Sequence, residues 1–305
     1  MLVRILKNSL FKRPKSVLLV MLSVVMGVSV STAFLGIYGE ISHKMALELR
    51  SYGANILVEP AVTEGGFLKE ADLAKIKTVF WKHNIIGFAP YLFGIVDLSA
   101  GTRKEKGVLT GTWFAKSLTT EGEETAPQGV KIIAPWWSLS GEWPAGPDEA
   151  VIGVALARRL AVTAGGEVVA LHRGNSHRFR VVGIVTTGGY EEEQLFAPLL
   201  TVQSLLDRAG EFSRLLVSAL TVPMDDFGRK DPAAMSRGDY EKWYCTAYVT
   251  SVAKNIEEAM TGGRAKPIWQ VASGEGALLA KLTTAMVLLT LVALISAAIA
   301  VSSSL

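Results

Sequence analysis

The sequence predicts a membrane protein of the α+β class: two transmembrane helices flanking a large extracytoplasmic α/β domain with an inserted β-rich lobe. Three observations predict it. Ser16 to Tyr38 is an uncharged apolar run, longer than the ~20 residues a helix needs to cross a bilayer. Leu282 to Val301 is a second such run near the C-terminus. Between them lies a mixed stretch of about 240 residues, enough for one large domain or two small ones. The formal net charge of +3 is modest and much of it sits in the first fifteen residues, which argues for a membrane-facing N-terminus and against nucleic acid. One cysteine, Cys245, cannot staple its own chain, and a free, buried thiol is expected.

Met1 to Phe11 has Leu2, Val3, Leu6 and Leu10 at helical spacing, with Arg4, Lys7 and Asn8 opposite, so residues 1–15 are expected to form an amphipathic helix at the inner interface, broken by Pro14. Arg4, Lys7, Lys12, Arg13 and Lys15, with no acidic residue among them, place the N-terminus in the cytoplasm and the middle of the chain outside. A cleaved signal peptide ending near Ser31-Thr32-Ala33 is the competing reading, but the apolar run of the first span (16–38) exceeds the ~7–15 residues of a signal core. Ser23, Gly27 and Ser31 recur every four residues and form a candidate helix-packing face. The pattern Ile41, Met45, Leu49 carries the helix outward as a stalk, up to a stop at Gly53-Ala54-Asn55.

Asn55 to Glu59 reads as a strand and Glu70 to Phe80 as a helix. Ile86 to Leu98 holds one or two strands and Lys106 to Trp113 another. Gly122 to Gly146, with its prolines, is loop-like and carries Trp136, Trp137 and Trp143. Clustered tryptophans there fit either a partner surface or the plug of a small β-rich core. Glu149 to Gly153 is a strand, Val154 to Leu160 a helix, and Glu167 to Leu171 and Phe179 to Val185 are strands of a hairpin turning at Gly174-Asn175. Leu195 to Pro198 ends a strand. Thr201 caps a helix through Leu206, Arg214 to Val222 is a strand, Asp239 to Met260 one long helix, and Lys266 to Val271 a last strand. Ser273 caps a helix that runs through Lys281 into the second span (281–302), returning the chain to the cytoplasm.

Gly146-Pro-Asp-Glu-Ala-Val-Ile-Gly-Val-Ala-Leu-Ala-Arg-Arg-Leu160, then Gly165-Gly-Glu-Val-Val169, Phe179-Arg-Val-Val-Gly-Ile-Val185 and Phe196-Ala-Pro198, resemble the periplasmic core domain of MacB/FtsX-like ABC transporter permeases, of the lipoprotein-releasing and macrolide-exporter type. The resemblance implies a periplasmic core over 39–280, with a membrane-proximal α/β part at about 53–99 and 239–271 and a β-rich lobe at about 106–222. It implies a permease that couples a separate cytoplasmic ATPase to movement outside the bacterial inner membrane. The implied partners are that ATPase, a second permease copy or homologue, membrane lipids and a periplasmic protein. ATP and Mg would belong to the ATPase. Members of that family continue past the second span with a coupling helix and further spans, which these 305 residues do not contain. Trp243 to Tyr248 and Ile268 to Ser273 look like a subgroup found with iron-uptake components. The alternative function is a membrane-anchored periplasmic binding or scaffold protein associated with iron uptake.

No G-x-x-x-x-G-K-[ST], G-x-S-x-G or H-E-x-x-H occurs, so no catalytic or cofactor-binding residue is assigned and ATP hydrolysis is expected elsewhere. With Gly174-Asn175 as the turn, His172 and His177 fall opposite each other and form a weak metal candidate, opposed by the surrounding Arg173, Arg178 and Arg180. Glu191, Glu192 and Glu193 form an acidic loop that could contact a hard cation or simply be solvated. Asp225-Asp226 is weighed in the same way.

Overall fold

The computed structural model describes residues 53–61, 66–120, 123–124 and 126–268, and four positions of the first expected span, Met21, Val25, Ser29 and Thr32, which are helical and exposed. The chain divides into two compact units, Leu49–Ser273 and the paired ends Met1–Glu48 and Gly274–Leu305. Among the described residues no helix is long and apolar enough to cross a membrane. The expected amphipathic helix, the second span, the packing face at Ser23, Gly27 and Ser31, and the stalk pattern lie outside the described residues.

Among the described residues ten strands form one sheet: β1 (Ile56–Pro60), β2 (Ile85–Ala100), β3 (Arg103–Thr112), β4 (Ser138–Gly141), β5 (Glu149–Gly153), β6 (Glu167–His172), β7 (Asn175–Thr186), β8 (Gln194–Pro198), β9 (Arg214–Ala219) and β10 (Gly263–Pro267). The helices are α1 (Val130–Ile133), α2 (Val154–Leu160), α3 (Leu199–Leu205), α4 (Arg237–Tyr244) and α5 (Val249–Ala259). Six strands close on themselves. β2 pairs β3, β3 pairs β8, β8 pairs β5, β5 pairs β7, β7 pairs β6, and β6 returns to β2 through Asp97↔Leu171, Leu98↔Ala170 and Ser99↔Val169. Closure gives each of these six strands a partner on both sides, while the edges of the sheet lie at β10 and β4. The first half of β2 also carries a wing, β9–β1–β10, on the edge that β6 occupies further along.

One core lies on one face of every ring strand and continues under the wing. Leu98, Leu109, Ile152, Val168, Phe179 and Leu195 supply the ring; Ile56, Val58, Leu215 and Val217 meet Val252 and Ile256 of α5. A second core covers the other face, from Ala89 and Tyr91 of β2 to Val130, Ile133, Trp137, Val151 and Phe196. Strands β5 and β8 therefore bury both faces, and their sequences, EAVIG and QLFAP, show no clean polar alternation. An extra residue between Val181 and Gly183 shifts the β7 register, so Val181 faces the first core and Val185 the second.

Several expected elements differ. One sheet runs through both expected parts: β2 serves ring and wing, and β9, within the expected lobe, belongs to the wing. Residues 70–78 form a 3₁₀ helix. The loop-like 122–146 region contains α1 and β4. Thr201 does not cap α3, which begins at Leu199; its hydroxyl donates to Pro147 O at 2.9 Å. The long helix 239–260 is two helices. Between them Ala247 O accepts from Val222 N at 2.8 Å, and Tyr248 is extended, so the backbone leaves the helical path to pair with the strand end. Cys245, at the end of α4, is exposed and not buried.

Candidate functional site

The first and last described stretches of the Leu49–Ser273 unit, at Asn55 and Ile268, meet at one end of the wing. β1 and β10 are antiparallel, with Ile56 opposite Pro267, so the incoming and outgoing backbones lie side by side. Ile268 N donates to Asn55 O at 2.8 Å. Asn55 N donates to Val217 O at 3.0 Å, and the Asn55 carboxamide binds Ala219 twice: Nδ2 to Ala219 O at 2.8 Å and Oδ1 from Ala219 N at 3.0 Å. Asn84 holds the next residue, accepting from Leu220 N through its backbone oxygen at 2.7 Å and donating from Nδ2 to Leu220 O at 3.0 Å. Just before this clamp, Gly53 has φ +95° and lies under Trp136, whose Cζ3 would stand 2.7 Å from a Cβ there. The sequence marked Gly53-Ala54-Asn55 only as a helix stop; nothing local in it signals a partner 164 residues away.

The three tryptophans separate. Trp137 is buried, edge-on to Phe196 with centroids 5.0 Å apart, and stacks on Trp143 at 6.4 Å; Trp143 also meets Phe114. These two plug the second core. Trp136 stays 43 % exposed beside Gly53, and Ile132 of α1 lies against Gly87 at the start of β2. Exposed Phe80, Ile86 and Val222 lie on the neighbouring segments at this end.

The hairpin turns at Arg173-Gly174, both with positive φ (48° and 94°), one residue earlier than expected. His172 therefore faces Asn175 and His177 faces Ala170, so the histidines are diagonal neighbours and not a direct cross-strand pair. Each has its own contact. His172 Nδ1 lies 3.3 Å from Ile95 O, on the edge of β2 between its β9 and β6 partners. His177 Nε2 is 2.9 Å from Asp148 Oδ1 but off the line of a hydrogen bond.

The acidic residues form a 3₁₀ turn, Tyr190–Glu193. Glu192 Oε1 accepts from Thr187 N (3.0 Å) and Gly188 N (2.9 Å), Glu191 Oε2 accepts from Thr187 Oγ1 (3.3 Å), and Glu193 lies 3.9 Å from Arg159. Asp225 accepts from Gly228 N at 2.7 Å and from Tyr248 Oη at 2.9 Å, while Asp226 faces Arg229. Among the described residues no three His, Cys, Asp or Glu side chains converge as metal ligands would. A shallow cleft of about 380 Å³, lined by Asp97, Ser99, Lys104, Glu105, Lys106 and Leu171, carries both charges.

Glu149 of β5 is held on both carboxylate oxygens. Its Oε2 accepts from Ala145 N (2.8 Å) and Gly146 N (3.1 Å), and its Oε1 pairs with Arg180. These backbone bonds, and then Arg180, lower its pKa from the ordinary glutamate value. The sign follows: the native state prefers the ionised form, so this stabilisation is full above the ordinary value and is lost as pH falls through the lowered one. Glu149→Gln is expected to flatten the loss of stability between about pH 5 and pH 3, read as the thermal midpoint by tryptophan fluorescence. An unchanged acid limb would mean that Glu149 does not carry it.

Ring and wing are joined in one sheet, and Asn55 and Ile268 are fastened to each other at one edge of it, within a unit that the chain enters and leaves as Leu49–Ser273. The sequence profile of the MacB-like periplasmic core domain matches residues 17–226, and the chain belongs to that family, the extracytoplasmic core of ABC transporter permeases. The structure is similar to the periplasmic region of MacB from Actinobacillus actinomycetemcomitans, at 12 % identity over 70 % of this chain and 88 % of that one, with a TM-score of 0.45. It is also similar to the extracellular domain of the noncanonic ABC-type transporter YknZ from Gram-positive bacteria, at 11 % identity over 70 % and 99 %, with a TM-score of 0.45. No curated protein sequence matches the chain. The family membership rests on the sequence profile and not on these distant likenesses.

Proposed function

We propose that the chain is the permease subunit of an ABC transporter of the mechanotransmission type. A separate cytoplasmic ATPase, holding ATP and Mg, moves the outer unit to export a substrate, handle lipoproteins or activate a periplasmic partner. The N-terminus is cytoplasmic, the Leu49–Ser273 unit is periplasmic, and a second permease copy completes the assembly. One observation carries this reading. Incoming and outgoing chain are hydrogen-bonded to each other at Asn55 and Ile268, and the sheet continues without a break from there into the closed ring. A displacement applied at that end moves the whole unit, because among the described residues β2 joins wing and ring and each ladder resists shear by its hydrogen bonds.

The single cysteine, Cys245, is exposed and provides a reporter. With the full chain purified from membranes together with its ATPase and a nitroxide on Cys245, the distance between labels in paired copies is expected to change on adding ATP and vanadate. If no ATPase co-purifies and the distance distribution ignores nucleotide, the reading fails.

A further inference from the structure

In a continued β1–β9 ladder the partner of Ala219 would be Ala54, because Ile56 faces Val217 and Leu57 faces Leu216. The backbone does not continue. The side chain of Asn55 takes that rung, donating to Ala219 O at 2.8 Å and accepting from Ala219 N at 3.0 Å. A carboxamide offers a donor and an acceptor side by side, as a peptide group does, so the sheet loses no hydrogen bond when the chain leaves it. Gly53, two residues earlier, has φ +95° and leaves room for the ring of Trp136 where a Cβ would stand. The Asn55 carbonyl meanwhile holds the outgoing chain through Ile268 N at 2.8 Å.

We infer that Asn55 is the coupling residue of this permease, the point at which displacement of the incoming and outgoing segments passes into the sheet. It is a positioning residue, and the inference rests on the mechanotransmission reading above. The first strand, the end of β9 and the chain leaving β10 are joined by the β1–β9 and β1–β10 ladders, and at their last rung all three meet on this one residue. Asparagine is required by its chemistry. Aspartate keeps the size but sets an acceptor against Ala219 O, and alanine leaves both Ala219 groups unpaired.

The test uses the full chain with its ATPase, spin-labelled at Cys245, as Asn55→Asp, Asn55→Ala and the neighbouring control Thr221→Ala, which removes only the 3.4 Å contact to Asn55 Nδ2. Both Asn55 variants are expected to keep ATP hydrolysis while the nucleotide-dependent distance change falls below about half. Amide exchange at Ala219 and Ile268 is expected to rise about tenfold. Thr221→Ala should match the unsubstituted chain in both readouts. A full distance change in the Asn55 variants would overturn the inference. So would unchanged exchange at Ala219 and Ile268. If Asn55→Ala does not fold, Asn55→Asp decides. If the unsubstituted chain itself shows no nucleotide response, the mechanotransmission reading fails and the coupling role with it; the exchange data then report only whether Asn55 holds the rung.

Discussion

Gly129→Ala is expected to destabilise the Leu49–Ser273 unit by about 4 kcal/mol, from two sources that add. Gly129 sits at φ +133° and ψ −174°, a region open essentially to glycine alone, and forcing alanine into it costs ~1–3 kcal/mol. The new Cβ would also stand 2.7 Å from Phe114 O and 2.8 Å from Phe114 C, and closer still to Trp113 O. These are backbone atoms and cannot swing aside, so overpacking adds ~1–3 kcal/mol. The crowding has a purpose. Val130 N donates to Trp113 O at 2.8 Å and Lys131 N to Phe114 O at 3.2 Å, so the strand end itself caps α1. Displacing it loosens Ile133, Trp137 and Trp143 together. The thermal midpoint should fall by roughly 8–16 °C. Gly101→Ala is the comparison: φ is also positive, at +56°, but nothing lies within 4 Å, and a loss of only ~1 kcal/mol is expected. Equal losses at the two sites would show that the close approach at Gly129 has no energetic weight.

The family-bearing strands were legible because their signal is local. Glu149 to Gly153 and Phe179 to Val185 carry enough valine and isoleucine to read as strands, and Val154 to Leu160 as a helix, and all three exist. What escaped depends on partners far along the chain. The return of β6 to β2, which closes the ring, joins residues about 70 apart through three pairs. The break between α4 and α5 is made by Val222 drawing Ala247 and Tyr248 out of helical geometry. The hairpin register slipped by one because Gly174-Asn175 is the more familiar turn pair, while the chain instead holds Arg173 at positive φ. Trp136 and Trp137 are adjacent with opposite fates, one exposed beside Gly53 and one in the core, which composition could not divide. Asn55 was invisible as a coupling residue for the same reason: its role lies in Ala219 and Ile268.

Gly153→Ala is expected to cost about 3 kcal/mol for a purely steric reason. The backbone there is ordinary, φ −65° and ψ 143°, so alanine suffers no conformational strain. A Cβ would nevertheless lie 2.5 Å from Glu192 Cα, with the Glu192 carbonyl nearer. The acidic turn cannot easily retreat, because Glu192 Oε1 ties it to Thr187 N and Gly188 N. The Tyr190–Glu193 turn is thus packed on Gly153 at the start of α2, and Glu191 and Glu192 bind back to Thr187 and Gly188 of the same loop. Glu192→Gln keeps an acceptor oxygen for those bonds and should cost no more than about 1 kcal/mol. Two readouts separate this from a cation site. Under the packing account the midpoint falls by roughly 6–12 °C in Gly153→Ala, barely moves in Glu192→Gln, and does not respond to added Ca²⁺ or Fe²⁺ in the unsubstituted chain. A cation-dependent rise that disappears in Glu192→Gln would instead make Glu192 a ligand, since a bound ion stabilises the native turn by mass action.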